Sequence, residues 1–296
     1  MLGSALVSYI CHTHSLSALI IKGPGATYLG VRPPRPSSDI DVLAHPVSFQ
    51  QLLTALTHYG WNARPFAENL GIPNHSITLY HEEWPVDIDL HRYYPGFGTS
   101  AARAFEVLEE NSMKCDFAGV VGSIPNKVAA SLIQALHALR NESDAHNYGH
   151  ATEDLSWMGQ NPDRCSGTDL RLLAEKLDAT GALEPYFRRF YPVESGEMEF
   201  SKPSDEWTRR TELTAPGSLR ISALLDAHGR SRIRIIWSSL FSVRDSLGMK
   251  DLRLQDAGLK SKGKANLKRI LNFMGQIPMT IRQVRRYRSL RDDQDR

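Results

Sequence analysis

Two short acidic segments each place a pair of aspartates two residues apart. Asp39 and Asp41 begin one apolar segment, and Asp87 and Asp89 begin another. Alternation of polar and apolar residues predicts a strand, in which side chains at i and i+2 point to the same face. The carboxylates of each pair therefore share a face and repel each other unless a cation lies between them. Such oxygen ligands suit Mg²⁺, which binds one or two carboxylates together with water and phosphate oxygens.

A glycine-containing turn precedes the first acidic pair. Lys22 ends an apolar segment, and Gly23 and Gly25 bracket a turn where backbone can approach a ligand closely. A helix predicted over 26–29 turns its first N–H groups toward that ligand, which favours phosphate. Pro24 lacks an N–H and so removes one phosphate donor. A tight turn that binds nothing is the alternative for the same residues.

Four basic side chains lie close in sequence to these segments. Arg32 and Arg35 belong to a loop rich in proline and serine that leads to Asp39. Each arginine either reaches a phosphate group bound at the turn or lies in solvent. His75 begins a predicted strand and has either a binding role or a structural one. His91 shares the face of Asp89 and is placed to orient that carboxylate or a phosphate.

The surrounding sequence predicts the elements that position these residues. Alternating and apolar patterns predict strands over 18–22, 39–43, 61–66, 75–80 and 85–91, with helices over 2–14 and 49–59. From residue 101 the pattern becomes helical, and the predicted helices cover 101–111, 127–139, 153–159, 167–180, 183–189, 220–247, 264–274 and 278–290. The sequence therefore predicts an α+β region followed by an all-α region.

Length and composition indicate a globular protein of two domains. The chain has 296 residues, which exceeds the usual size of one domain. No apolar run reaches the 18 residues of a membrane span, and the N-terminus lacks the layout of a signal peptide. The three cysteines are far apart and lack metal-site spacing. We therefore expect a reduced, cytoplasmic protein.

Charge is distributed unevenly along the chain. Residues 1–115 contain 7 Lys/Arg and 10 Asp/Glu, whereas residues 250–296 contain 13 and 5. A basic tail attracts anionic partners, and contacts from its arginines to nucleic-acid phosphates are one interpretation. A solvated face, or a face packed on the acidic region, is the favoured alternative. The arginines in question are Arg282, Arg285, Arg286 and Arg288.

Taken together, these motifs resemble the DNA polymerase β-like nucleotidyltransferases. The resemblance is stronger to a bacterial branch described as nucleotidyltransferase family proteins. That branch typically has Leu-Lys-Gly, a helix with a Tyr, an Arg, Asp-Ile-Asp-Leu/Val-Leu and, later, Asp/Glu-Leu-His. The matching residues here are Ile21-Lys22-Gly23, Tyr28, Arg32 or Arg35, Asp39-Ile40-Asp41-Val42-Leu43 and Asp89-Leu90-His91.

The resemblance implies a fold and a reaction. The expected fold is a nucleotidyltransferase catalytic domain over 1–115, with a mixed sheet and flanking helices, and a helical domain with the basic tail over 116–296. The expected reaction transfers a nucleoside monophosphate from an NTP, with ATP favoured, to an acceptor hydroxyl and releases pyrophosphate. Asp39 and Asp41 would hold two Mg²⁺ ions. Asp89 would share one ion and receive the proton, with Asp87 as the fallback.

The resemblance also implies nucleotide contacts and leaves the acceptor open. Nucleotide contacts are expected from Lys22, Gly23, Gly25, Arg32, Arg35 and His75. The acceptor is a small hydroxylated molecule, a peptide or protein side chain, or an RNA end. Two alternatives remain for the whole protein. One is an RNA-directed nucleotidyltransferase that uses the basic tail, and the other is a non-catalytic NTP-binding regulatory protein with the same fold.

Overall fold

The computed structural model describes residues 1–64, 73–142, 148–161, 163–196, 198–215, 217–229, 231–233, 235 and 259–294. Side chains are not described for 259–274 and 293–294. The chain forms two compact units. The first contains Met1–Ala63 and His75–Trp207, and the second contains the described parts of Arg64–Asn74 and Thr208–Arg296. The functional boundary predicted at residue 115 stays a prediction.

A five-stranded mixed sheet forms the centre of the first unit. Its strands are β1 (Ala18–Ile20), β2 (Asp39–Ala44), β3 (Asn62–Ala63), β4 (Ser76–Tyr80) and β5 (Asp87–His91). Their spatial order is β1-β2-β5-β4-β3. Strands β2 and β5 run parallel at the centre, whereas the other neighbours are antiparallel. The two acidic segments are therefore adjacent strands.

The two faces of this sheet differ in chemistry because side chains alternate along each strand. Ile40, Val42, Ile88 and Leu90 are buried against helices α1 (Leu2–Thr13) and α3 (Pro46–His58). The intervening aspartates lie on the opposite face. Leu43 continues that face and belongs to the helical core described next.

Five helices pack with the acidic face of the sheet and form the larger core of the unit. They are α4 (Ala101–Glu110), α5 (Lys127–Glu142), α6 (Tyr148–Gln160), α7 (Gly167–Lys176) and α8 (Thr180–Phe190). Asn126 begins α5 because its side-chain oxygen accepts a hydrogen bond from the Ala129 N–H. Helix α5 is buried along most of its length, and it places the His137 ring 3.3 Å from the Lys22 Nζ. Short helices α2 (Pro24–Tyr28) and α9 (Pro192–Gly196) connect the larger elements.

A β-hairpin between α4 and α5 was not predicted from the sequence. Strands β6 (Ser112–Phe117) and β7 (Val120–Pro125) pair through a two-residue turn at Ala118 and Gly119. Both turn residues have positive φ, 54° and 87°, as hairpin turns of this kind require. Alanine seldom adopts that conformation, so the pair lacks the Asn-Gly signal that reveals such a turn. The Asp116 carboxylate accepts a hydrogen bond from the Gly119 N–H and stabilises it.

The second unit is helical in its described parts. It contains most of α10 (Asp205–Glu212), with α11 (Ser218–Asp226) and the long α12 (Leu259–Gln294). Leu213, Val284 and Tyr287 form its small buried cluster. The two helices predicted over 264–274 and 278–290 are one helix, which continues through Pro278. That proline removes one backbone hydrogen bond without ending the helix.

The predicted architecture is confirmed, since a mixed sheet with flanking helices precedes a helical region. The strand predicted over 61–66 is confined to β3, and residues 65–72 lie outside the described ranges. Most of the predicted helix over 220–247 and of the predicted loop over 251–263 also lies outside them.

All three cysteines are free thiols. None of the helices in the described ranges has the length and apolar character needed to cross a bilayer.

Candidate active site

The register of the two central strands brings the aspartates together. In the parallel pair β2–β5, Asp39 lies opposite Asp87 and Asp41 lies opposite Asp89. All four side chains start from the same sheet face, because each pair is separated by one residue. Neighbouring strands lie roughly 4.8 Å apart, so carboxylates from two strands can share one ligand. The predicted i, i+2 pairs therefore combine into a single acidic cluster.

Asp41 is the most buried carboxylate of the cluster, with 4% of its surface exposed. Its Oδ1 atom lies 2.6 Å from the Lys22 Nζ and 3.1 Å from the His91 Nε2. Burial alone raises the pKa of Asp41, but the Lys22 charge and the His91 hydrogen bond outweigh burial and hold this pKa well below its usual range. Asp41 is therefore ionised, and a carboxylate accepts only, so His91 donates through Nε2.

Asp89 and Asp39 have different surroundings from Asp41. The Thr78 hydroxyl on β4 donates to Asp89 Oδ1 at 2.5 Å and fixes that carboxylate. The pKa of Asp39 is raised, first by burial and then by the negative charge of Asp41. A cation placed among these carboxylates relieves their repulsion. The acidic face thus has the electrostatic property that a metal site needs.

A donor set for one metal ion is present at this position. One ligand atom each of Asp41, Asp89 and His91 lies within 4.8 Å of the others. The two carboxylates suit Mg²⁺, which prefers oxygen ligands. His91 already donates to Asp41 through Nε2, so its contribution is to orient that carboxylate. The residues present therefore fit a divalent cation held by carboxylate oxygens.

A group of basic side chains lies beside the carboxylates. The Lys22 Nζ donates to His137 Nδ1 at 3.3 Å, and the Arg140 guanidinium lies 3.4 Å from the same nitrogen. Arg140 also lies 3.5 Å from the His75 Nε2. Burial and the positive charges of Lys22 and Arg140 lower the pKa of His137 well below its ordinary value. His137 is therefore neutral and accepts from these two cations.

The two predicted loop arginines have other partners. Arg35 forms a bidentate pair with Asp154 of α6, at 2.5 and 2.7 Å. The Asp154 hydrogen bond raises the pKa of Arg35. Arg32 is buried and donates to Thr27, Ser37 and the Arg35 carbonyl. Both arginines hold the loop before Asp39, and their predicted contacts with a triphosphate stay predictions.

The two glycines of the predicted turn are required for different structural reasons, a backbone conformation at Gly23 and limited space at Gly25. Gly23 has φ +65° and ψ −133°, a conformation that glycine adopts readily and other residues rarely do. Gly25 has a neighbour instead, because a Cβ there would lie 3.3 Å from Ile124 of β7. A predicted phosphate contact at either glycine stays a prediction.

Several residues of the site were missed by sequence reasoning. Thr78, Arg140 and Asp154 were not singled out, and the spacing of His137 from His146 and His150 does not predict a metal site or any other role. Thr78 lies on β4, eleven residues before Asp89, whereas the other three lie on α5 and α6, far in sequence from the acidic segments. Ordinary core periodicity describes α5 and gives no sign that Arg140 contacts His137 and His75. Only the packing of α5 on the sheet reveals it.

No protein-family model matches the chain, and no curated protein sequence matches it. Among solved structures, the chain is similar to an antigenic nucleotidyltransferase-like protein from Paracoccidioides brasiliensis, with 11% identity, a TM-score of 0.39, and 69% of this chain and 93% of that chain covered. A tRNA nucleotidyltransferase complexed with a primer tRNA and an incoming ATP analog has 13% identity and a TM-score of 0.27, with 98% and 100% covered. A structure of tRNA-processing enzyme complex 3 has 12% sequence identity and a TM-score of 0.28, with 95% of this chain and 89% of that chain covered. Because all three TM-scores lie below 0.5, we base the proposed function on the site itself.

Proposed function

We propose that this protein is a Mg²⁺-dependent nucleotidyltransferase. It moves a nucleoside monophosphate from an NTP, with ATP favoured, to a hydroxyl of a small molecule, peptide or protein. The observation that carries the proposal is the carboxylate cluster, in which Asp41 and Asp89 lie opposite each other on parallel strands with Asp39 on the same face. The sequence resemblance to polymerase β-like nucleotidyltransferases supports the same chemistry.

Asp39, Asp41 and Asp89 are the residues that would hold Mg²⁺. When bound there, the metal would neutralise phosphate charge and lower the pKa of an acceptor hydroxyl. The Lys22 and His91 contacts keep Asp41 ionised and fixed in orientation. The Thr78 hydroxyl fixes the orientation of Asp89 by donating to one of its oxygens. The chain thus pre-organises its carboxylates before a substrate arrives.

In the proposed reaction the acceptor oxygen attacks the α-phosphorus of the NTP. The bond from that phosphorus to the oxygen bridging to the β-phosphate breaks, and pyrophosphate leaves with the bonding electrons. Asp89 accepts the proton of the acceptor hydroxyl, directly or through water. Thr78 donates to Asp89 Oδ1. The second oxygen, Oδ2, is therefore the one assigned to the proton.

Arg140 and His75 are proposed to bind the phosphates that leave. Within the described residues, Arg140 forms no ion pair, and its guanidinium contacts only imidazole nitrogens. An arginine without an acidic partner, next to a carboxylate site, favours an anionic ligand. Gly23, Gly25 and the loop arginines would then shape the turn around the nucleotide. The catalytic region would be 1–115 and the helical region 116–296, in a cytoplasmic protein.

The basic tail gives less support to an RNA acceptor. Arg286 lies 2.9 Å from Glu212, and Arg288 and Arg291 both contact Asp226. The two carboxylates offset part of the positive charge of these arginines, which would otherwise attract the phosphates of RNA. Arg282 and Arg285 are exposed. If RNA is the acceptor, the intact protein binds it with an affinity that falls steeply with salt, and no binding at low salt excludes it.

The test of the proposed function is a direct assay for nucleotide transfer. The protein is incubated with each labelled NTP, Mg²⁺ and pools of hydroxylated small molecules, peptides, proteins and RNA, followed by mass spectrometry. We expect a nucleotide-sized addition to one acceptor class and equimolar pyrophosphate. Asp41→Asn should lose the product, whereas Lys114→Met, a change at an exposed residue, should keep it. NTP binding without transfer to any acceptor would favour the non-catalytic alternative.

A further inference from the structure

Lys22 occupies one side of the Asp41 carboxylate. Its Nζ lies 2.6 Å from Asp41 Oδ1, and the two side chains are 10% and 5% exposed. The His91 Nε2 lies 3.1 Å from the same oxygen. A metal ion that used this oxygen would have to replace an ammonium group already at ligand distance. Among the described contacts, none reaches the other oxygen, Oδ2.

Lys22 is held in this position from two directions. Ile21 N donates to the Asp41 carbonyl at 3.0 Å, so the backbone before Lys22 is tied to β2 beside Asp41. At the far end of the side chain, His137 Nδ1 accepts from Nζ at 3.3 Å. The backbone next to Lys22 is therefore fixed, and its ammonium group has two acceptors, Asp41 and His137. These contacts favour a fixed cation over a mobile side chain.

The charges of the three proposed ligands and of Lys22 agree with a single metal ion. Asp39, Asp41 and Asp89, the three proposed ligands, carry three negative charges when ionised. Lys22 offsets one of them through its contact with Asp41. The remaining two charges match one divalent cation. A second divalent ion beside Asp41 would meet the positive charge of Lys22 in a buried environment, where screening is weak.

We propose that Lys22 takes the place of one of the two metal ions predicted from the sequence. The free protein then binds a single divalent cation, on the Asp89 side of Asp41. This inference rests on the proposed function, because the same carboxylates are taken as the metal site. It adds that Lys22 is a built-in cation, and that any further metal ion must arrive with the triphosphate.

The test counts bound Mn²⁺, which replaces Mg²⁺ at oxygen sites and is detected by electron paramagnetic resonance. Wild-type protein, Lys22→Met and the surface control Lys114→Met are titrated with Mn²⁺ in the absence of NTP. We expect one Mn²⁺ per chain for the wild type and the control. We expect two for Lys22→Met, because the freed Asp41 oxygen and the uncompensated charge create a second position.

Each outcome separates this inference from the proposed function. Two Mn²⁺ per wild-type chain, or one for Lys22→Met, would overturn the inference and leave nucleotidyl transfer standing. No Mn²⁺ bound to the wild type would overturn both. The expected stoichiometries without transfer to any acceptor would overturn the function alone. If Lys22→Met does not fold, Lys22→Gln, which keeps a donor without the charge, is used, and the wild-type count decides if neither folds.

Discussion

Asp41 and Asp154 are two buried aspartates of the same unit that differ in how completely they are paired. Asp154 is 1% exposed, and both of its oxygens are used, by the two Arg35 nitrogens and by the Gln134 amide. Asp41 is 4% exposed, but its described contacts, with Lys22 and His91, both reach Oδ1. Within the described part of the chain, both oxygens of Asp154 have partners, whereas one oxygen of Asp41 has none.

The neighbours of the two aspartates increase this difference. Asp154 belongs to a helix and has a single strong cation, in the bidentate geometry that is most stable for arginine. Asp41 lies among other carboxylates on a strand, and its charge contributes to the raised pKa of Asp39. A carboxylate whose two oxygens both have partners stabilises the structure. A carboxylate in an acidic cluster that has one oxygen without a partner can bind a cation. Pairing of individual oxygens therefore distinguishes a structural from a functional aspartate better than burial does.

The strongest test of this difference is the substitution Asp41→Asn. We expect transfer to fall by at least about 100-fold, the range found when one electrostatic contact to a transition state is lost. The fold should also lose stability, because Lys22 is 8% exposed and loses its carboxylate partner, and the relieved repulsion with Asp39 and Asp89 offsets part of that loss. Steady-state kinetics and urea unfolding measure the two effects. Full activity in a folded Asp41→Asn protein would remove Asp41 from the metal site.

The matched substitution Asp154→Asn should act on stability instead. It leaves Arg35, whose side chain is 22% exposed, without its main carboxylate. Breaking a buried ion pair in this way costs about 3 kcal/mol. Urea unfolding should show this loss, and the metal stoichiometry of the folded fraction should stay at the wild-type value. A changed metal stoichiometry would mean that Asp154 also serves the metal site. The pairing of its two oxygens would then not identify a purely structural aspartate.

The two aspartates of β5 provide a second comparison. Asp89→Ala should lower transfer by about 100-fold, because Asp89 lies opposite Asp41 and is the proposed proton acceptor. Asp87→Ala should cost much less, because Asp87 lies opposite Asp39 and outside the donor set of Asp41, Asp89 and His91. Parallel kinetic assays of the two variants give the ranking. A reversed order would place the proton acceptor at Asp87.

The smallest expected effect is that of Thr78→Val, which removes the hydrogen bond to Asp89 and keeps a similar shape. Loss of a group that orients a metal ligand typically costs about 10-fold in activity or metal affinity. We therefore expect a loss of about 10-fold in both, with a change in unfolding free energy of about 1 kcal/mol. An unchanged Mn²⁺ affinity in the Thr78→Val protein would show that Asp89 is oriented by other contacts.

The amino-acid sequence determined which residues could form an acidic site. The spacing of Asp39 and Asp41, and of Asp87 and Asp89, placed each pair on one strand face, because alternation is a property of the local backbone. The same alternation put Ile40 and Ile88 in the opposite core. The order of a sheet region before a helical region was also predicted. These features depend on residues within a few positions of one another.

Only the tertiary structure decided which side chains became partners. Lys22 meets Asp41 because β1 pairs antiparallel with β2, and Arg35 meets Asp154 because α6 packs against the loop from 119 residues away. The hairpin turn at Ala118 has no residue signature. A carboxylate accepts from any cation that reaches it, so sequence alone could not assign Lys22 and Arg35 to their partners. Packing made that choice, because long-range contacts and not local propensity set the distances between charged groups.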